Sequence, residues 1–421
     1  MSREPWLGVI ADDYTGATDL AAMIARTGLR VIQSIGVPND AIADDVDCIV
    51  IALKSRSVPV SEAVTDSLAS LRWLRSWGAR QIYFKYCSTF DSTESGNIGP
   101  VADALAGELS AGPVVFCPSV PEHGRTTYQG HLFVHDRLLA ESAMKDHPIN
   151  PMHESDVRRL LGRQTETPVE LLPLEVMRSG VERASSSLKQ GGDASYVVAD
   201  TVTDDDLGIL AQMFESASLV TGGAGLAAAL AQLRTSRHPG RAQASSALVP
   251  RGPAVVLAGS CSRATREQLE NHLQDNAEFL IDAYALDRGE DVVDQAVAFV
   301  RGHRDGVPAV VAGRDPDAVR QVQSDLGVER SSALIENALG EIARRVRGEG
   351  VKRIMVAGGE TSGAVVNALG ATMLDIGAEV APGVPWMVTR GPDPIGLVLK
   401  SGNLGGHGIF RDALTSADAT R

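Results

Sequence analysis

Short β-branched runs alternate along this chain with longer stretches whose apolar residues recur every three or four positions. Trp6–Ile10, Cys48–Leu53, Gln81–Lys85, Val114–Cys117 and Tyr196–Ala199 are short and largely apolar, as strands buried on both faces must be. Between them the spacing predicts helices over Ala17–Thr27, Val60–Trp77, near Val101–Leu109, and over Asp204–Phe214. In the second of these, Ala63, Val64, Leu68, Leu71, Leu74 and Trp77 fall at steps that build one apolar face. The acidic start at Asp204 suits the positive end of a helix dipole. Residues 235–253, TSRHPGRAQASSALVPRGP, mix Pro, Gly, Ser and basic side chains without periodicity and predict an exposed connection. The rhythm then restarts with strands at Ala254–Ala258, Pro308–Ala312, Arg353–Ala357 and Ile395–Leu399, and helices from Arg263 and over Ser332–Arg347. This alternation predicts an α/β fold of two domains, residues 1–240 and 250–421, with largely parallel sheets and an active-site cleft between them.

Composition narrows the class. The 421 residues are 44% hydrophobic and 22% charged, which excludes a disordered or fibrous chain. Lys and Arg number 39 against 53 Asp and Glu, a net charge of −14, with no dense basic run. That balance argues against a nucleic-acid or membrane-surface partner, so an anionic substrate would need a local cluster of cations. Cys48, Cys87, Cys117 and Cys261 lack paired spacing and read as reduced, buried thiols. No window supplies the ~20 apolar residues of a membrane helix, Leu219–Leu233 coming nearest, and the N-terminus has no secretory core. Cytoplasmic residence is the expectation, and assembly into a homo-oligomer stays open.

The chemistry gathers after predicted strands, where α/β sheets hold ligands. The first strand runs into Asp12-Asp13-Tyr14-Thr15-Gly16, a carboxylate pair at a helix start. One carboxylate is explained as a helix cap; two can hold a polyol hydroxyl, take its proton, or bind a metal. Lys54 and Arg56 follow the next strand, Lys85 ends another, and Arg125 follows the run Val114–Cys117. Cations beside Ser and Thr at successive strand ends suit a small sugar acid. In the second half, Gly259-Ser260-Cys261-Ser262, Gly358-Gly359-Glu360-Thr361-Ser362-Gly363 and Lys400-Ser401-Gly402-Asn403 each follow a strand. Each alone is an ordinary turn; three together suggest backbone amides and hydroxyls cradling nucleotide phosphates. His123, His131, His135, His147, His153 and His407 lack metal-site spacing and read as structural or exposed, and no nucleophile elbow GxSxG occurs.

With ADDYTGATD at 11–19, LKSRS at 53–57, YFKYCSTFDST at 83–93, GNIGP at 96–100, HGRTTYQGHLFV at 123–134, GSCS at 259–262, GGETSG at 358–363 and KSGN at 400–403, the chain resembles the four-carbon acid sugar kinases. The runs YFKYCSTFDST, GNIGP and YQGHLFV are most similar to the 3-oxo-tetronate 4-kinase branch, with D-threonate and D-erythronate 4-kinases as the alternative. The resemblance implies transfer of a phosphoryl group from ATP to the terminal hydroxyl of a four-carbon sugar acid. It implies ATP contacts at Ser260 or Ser262, at Gly358–Gly363 and at Gly402–Asn403. It places the sugar acid against Asp12, Asp13, Lys54, Arg56, Lys85 and Arg125. On this reading either Asp12 or Asp13 takes the hydroxyl proton, Lys85 and Arg125 hold the substrate carboxylate or face the γ-phosphate, and Glu360 holds Mg²⁺ through water.

Two readings from other classes compete. A non-catalytic sugar-acid sensor would keep the cationic strand ends and have no need of three glycine loops. A nicotinamide-dependent dehydrogenase would want GxGxxG after a strand, a spacing that Gly222-Gly223-Ala224-Gly225 does not supply.

Overall fold

A computed structural model of the chain describes residues 5–39, 46–146, 150–189, 195–239, 247–402 and 404–419. It divides into two compact units, Met1–Ser245 and Ser246–Arg421.

The first unit is built on a parallel sheet. Its strands are β1 (Leu7–Ala11), β2 (Val31–Ile35), β3 (Cys48–Ala52), β4 (Gln81–Lys85), β5 (Val114–Cys117), β9 (Val169–Leu172), β10 (Tyr196–Ala199) and β11 (Leu219–Gly222). A separate antiparallel sheet of β6 (Arg125–Tyr128), β7 (His131–Val134) and β8 (Arg137–Leu138) is inserted after β5. The parallel strands lie in the order β2-β3-β1-β4-β11-β5-β10-β9. β1 is thus flanked by β3 on one side and β4 on the other, in register from Leu7 to Ala11 with both. The chain places β2 and β3 on one side of β1, with β3 adjacent to it, then crosses to the other side at β4. Such a reversal opens a crevice at the carboxyl ends of the strands, the usual ligand position in this architecture.

The second unit repeats the device. Its strands are β12 (Ala254–Ala258), β13 (Glu278–Leu280), β14 (Ala309–Val311), β15 (Arg353–Ala357), β16 (Met373–Ala381), β17 (Val384–Thr389) and β18 (Gly396–Lys400), ordered β13-β14-β12-β15-β18-β17-β16. β12 has β14 on one side and β15 on the other, all parallel, while β17 and β16 close the sheet as antiparallel strands. The reversal here falls at the end of β12.

Predicted strands at Gln81–Lys85, Val114–Cys117, Tyr196–Ala199, Ala254–Ala258 and Arg353–Ala357 are observed with those bounds. Their residues are almost all buried, which made the apolar runs unambiguous. The first helix spans Tyr14–Ala25, starting three residues before the predicted Ala17 because Asp13 caps it: its carboxylate accepts from Gly16 N–H. β18 ends at Lys400, so this lysine belongs to a strand and is 1% exposed, instead of opening a loop. β13, the β6-β7-β8 sheet and the β16-β17 hairpin were not predicted. No helix among the described residues is long and apolar enough to cross a membrane. His147 lies outside the described residues, as does part of the connection at 235–253.

Trp386 on β17 anchors the core of the second unit. Its ring packs among Val256, Met355, Val398 and Phe410, and its indole N–H donates to Ala413 O at 2.8 Å. Trp386→Ala removes that packing and the indole's bond to Ala413 O, which keeps only the Ser416 hydroxyl as its side-chain donor, so denaturant unfolding should report a loss of about 3–5 kcal/mol. A loss under about 1 kcal/mol would mean that the ring does not organise this core.

Candidate active site

In the first unit the residues after β1, β3 and β4 meet at the reversal. The main chain sets this up: Asp12 N–H donates to Lys85 O at 3.1 Å, and Ser55 and Arg56 N–H groups both donate to Asp12 O. Asn97, in the GNIGP run, fixes the segment after β3, its amide donating to Ser55 O at 2.8 Å and Val58 O at 2.9 Å.

Arg56 is the centre of the polar network. Its guanidinium grips Asp12 with two bonds, Nε to Oδ2 at 2.9 Å and Nη2 to Oδ1 at 3.0 Å. It also donates to Asp13 Oδ1 at 2.6 Å and reaches Asp91 Oδ2 at 3.4 Å. Three carboxylates therefore hold one arginine, whose fork is spent on positioning them. Burial pushes the Asp12 carboxyl above the ordinary range, with Arg56 opposing. For Asp13 burial also raises, but Arg56, Lys85, the Thr15 hydroxyl and the Gly16 N–H outweigh it and hold the carboxyl near about 2. Asp13 is the more accessible of the pair, its side chain 23% exposed against 7% for Asp12.

Lys85 is buried at the end of β4, its Nζ donating to Tyr86 O at 2.8 Å. It packs so closely on the first helix that a Cβ at Gly16 would sit 2.8 Å from Nζ and collide with Asp13 Oδ1. Lys54 is exposed. Arg125 opens β6, and its Nη1 donates to the His123 carbonyl.

Two residues that the sequence reading left aside join this group. Asp19 Oδ1, His123 Nε2 and Arg125 Nε are all buried with no hydrogen-bond partner among the described residues. Burial raises the Asp19 carboxyl, while His123 and Lys85 pull it down, so Asp19 shares one electrostatic neighbourhood with His123 and Lys85. Buried polar atoms are nearly always paired, and this concentration of orphans marks a place for a polar ligand. The signal was available in sequence: Asp13, Gly16 and Asp19 recur every three residues, on one face of the first helix.

In the second unit a cavity of about 710 Å³ opens at the carboxyl ends of β12, β14 and β15. One wall is loop: Gly259, Ser260, Gly358, Gly359, Glu360, Thr361 and Gly402, all proposed from sequence except Gly259. The loops are laced together. Gly358 N–H donates to Lys400 O at 2.9 Å, and Gly359 opens a helix whose first amides have no intrahelical acceptor. A Cβ on Gly402 would strike Ser260 Oγ and crowd Ser262 Oγ, so a side chain there must push both hydroxyls aside. Ser262, Ser362 and Gly363 do not line the cavity. Ser262 caps the helix Arg263–His272 and donates to Gly402 O at 2.7 Å, and Ser362 donates to Gly358 O at 2.7 Å. Both support the loops from behind. Asn403 lies outside the described residues.

The opposite wall is apolar. Leu280, Ile281, Tyr284, Val319, Val322 and Ile335 face the cavity, a surface suited to a flat heteroaromatic ring. None of these was singled out from sequence, although the ends of β13 and β14 supply part of the wall. Asp282 and Asp315 in the lining cap the helices that follow them. No group of three or more His, Cys, Asp or Glu that could hold a metal ion occurs among the described residues. Glu360 is exposed at the cavity wall, in the first turn of the helix Gly359–Ala368.

An acid-and-cation crevice in one unit and a glycine-walled cavity in the other match a known domain pair. Residues 7–230 match a sugar-binding N-terminal domain and residues 255–410 a nucleotide-binding C-terminal domain, and the chain belongs to this two-domain family. It is 47% identical over 421 residues, 99% of this chain and 98% of the relative, to a 3-oxo-tetronate kinase of Burkholderia multivorans. It is 49% identical over 418 residues, 97% and 96% of the two chains, to a 3-oxo-tetronate kinase of Pseudomonas fluorescens. A crystal structure of a Haemophilus influenzae protein is similar with a TM-score of 0.82 at 41% identity, covering 97% of this chain and 99% of that one.

Gly402→Ala tests the loop packing. The added methyl must displace Ser260, so ATP affinity measured by calorimetry should fall at least about tenfold while the circular dichroism spectrum is unchanged. Unaltered affinity would remove these loops from phosphate binding.

Proposed function

We propose that this chain is an ATP-dependent kinase that phosphorylates the 4-hydroxyl of 3-oxo-tetronate, yielding 3-oxo-tetronate 4-phosphate. The observation that carries the reading is the pairing, in one chain, of a carboxylate-and-cation crevice with a phosphate-loop cavity, each at a sheet reversal. The names borne by relatives 47–49% identical over nearly their whole length support the choice of substrate.

Phosphoryl transfer asks the protein chiefly to align the reactants and balance charge. The 4-hydroxyl oxygen forms a bond to the γ-phosphorus as the bond to the β–γ bridging oxygen breaks, and ADP leaves. The hydroxyl proton passes to Asp13. Both carboxylates are held by Arg56, but Asp12 is the more buried, with both oxygens on that arginine, and serves to hold it in place, while Asp13 is the more exposed of the two. The low pKa of Asp13 is compatible with this role, because in a loose transition state the carboxylate need only orient the hydroxyl until late proton loss. Lys85 and Arg125 take the substrate carboxylate, with Asp19 and His123 facing its hydroxyl and oxo oxygens. Lys54, exposed at the end of β3, adds positive charge at the approach. Ser260, Gly358–Thr361 and Gly402 receive the phosphates, and the apolar wall receives the base. The donor set suits a Mg²⁺ carried in by the nucleotide, with Glu360 holding it through water. Held there, it would supply positive charge to the transferring phosphates.

Incubation with ATP and erythronate, threonate or their 3-oxo forms, read by product mass, should give a monophosphate preferentially from 3-oxo-tetronate. Phosphorylation of threonate or erythronate alone would move the chain to the neighbouring activities, and no product from any would favour a sensor. Asp13→Asn should lower kcat roughly 10²- to 10⁴-fold with ATP affinity intact. Lys85→Met should raise the sugar-acid KM about 10- to 100-fold, the worth of one charged hydrogen bond. An unchanged kcat in the first, or KM in the second, would reassign that residue.

A further inference from the structure

Lys400 is used by neither the crevice nor the cavity lining, yet it is a lysine 1% exposed directly behind the phosphate loops. Its backbone pairs with Ala357 on β15, and its carbonyl accepts from Gly358 N–H, the first residue of the GGETSG loop. Its ammonium has only neutral acceptors: Thr265 Oγ1 at 3.3 Å and Gly402 O at 3.2 Å, both long. Gly402 O also receives the hydroxyls of Ser262 at 2.7 Å and Thr265 at 2.8 Å, so the ammonium shares a crowded carbonyl. Among the described residues no carboxylate pairs with it.

The charged and titratable groups on the elements packed around it do not repair this. Arg263 pairs with Glu267 at the surface, Arg266 and Cys261 lie on the same helix and its preceding loop, and Glu360 is exposed at the start of the helix Gly359–Ala368. Burial alone accounts for its lowered pKa, about 8. A buried ammonium without a counter-ion is costly, and that cost falls when an anion arrives nearby.

We propose that Lys400 is the buried counter-charge of the nucleotide phosphates, acting through the Gly402 and Gly358 loops, so that nucleotide binding takes up a proton in mildly alkaline solution. This rests on the reading of the second unit as the ATP site. The sign follows from linkage. With the nucleotide absent, Lys400 loses its proton as pH rises through about 8; with polyphosphate beside it, the charged form is favoured and its pKa rises. Below that range it is charged in both states and no proton moves. Above it, binding must reprotonate the amine, and affinity falls as pH rises. Lys400 does not line the cavity and acts through the loops that do, which makes it a positioning residue.

The test is calorimetry of the full chain with ATP and excess Mg²⁺ near about pH 8.8, in two buffers of different ionisation enthalpy. ATP itself is fully ionised there, so uptake reports on the protein. Wild-type protein should take up close to one proton per ATP, none near pH 7, and lose about tenfold in affinity between pH 7 and pH 9. Lys400→Met should abolish the uptake and flatten the pH dependence, Lys400→Arg should bind without uptake, and Cys261→Ser should leave the uptake unchanged. Wild-type protein that binds ATP with no uptake at the higher pH overturns the inference alone. Uptake that persists in Lys400→Met also overturns it. Protein that binds no ATP at any pH overturns the nucleotide reading beneath it.

Discussion

A parallel sheet whose chain starts in the middle, builds one way and then crosses back leaves a crevice where the two directions part, at the carboxyl ends of the central strands. Both units of this protein are built under that constraint, around β1 in one and β12 in the other. Whatever residues follow those strands are delivered to a crevice already supplied with unpaired helix-start amides. The chemistry then depends on residue type alone. After β1, β3 and β4 the chain places Asp, Arg and Lys; after β12, β15 and β18 it places Gly, Ser and Thr. One geometry thus gives an acid-and-cation crevice in one unit and a glycine-walled cavity in the other.

Electrostatics in the two units are arranged in opposite ways. The first gathers Asp12, Asp13 and Asp91 on one arginine and adds Lys85. Buried ions in such a group contribute little to stability on balance, because desolvation offsets their attraction, but they hold each other in place. The result is a divergence within the carboxylate pair: burial lifts Asp12, while hydrogen bonds and cations hold Asp13 down. Arg56 itself stays firmly charged: burial works against it, and the two aspartates outweigh that. The second unit does the reverse and leaves Lys400 buried with no carboxylate partner among the described residues. A net charge of −14 describes neither environment, since burial and short distances set the local field.

Much of this was legible in the residues because the informative strands are buried on both faces. Ala254–Ala258 and Arg353–Ala357 carry apolar runs too short for helices, so their ends, and therefore the loops after them, were readable. Less readable was what each loop residue does. Ser260 and Ser262 are chemically alike, yet one lines the cavity and the other is absorbed in a helix cap, a distinction fixed by where the helix Arg263–His272 begins. That Arg56 gathers three carboxylates was not readable, because those partners are dispersed at 12, 13 and 91. Asp19 and His123 were passed over because their meeting depends on packing between the first helix and a segment a hundred residues away. The apolar wall escaped for a similar reason, since β13 is only three residues long. The family resemblance carried the substrate, which no pattern of polarity encodes.

The most direct test of two separate reactant sites is amide hydrogen exchange with each ligand added alone. ATP with Mg²⁺ should slow exchange in peptides covering 259–262, 280–284 and 358–363 and leave 12–19 unaffected. A 3-oxo-tetronate or a four-carbon analogue should protect 12–19, 85–91 and 120–126 and leave the glycine loops unaffected. Protection of the glycine loops by the sugar acid, or of the Asp12–Asp19 segment by ATP alone, would contradict the division of labour argued from the two sheet reversals.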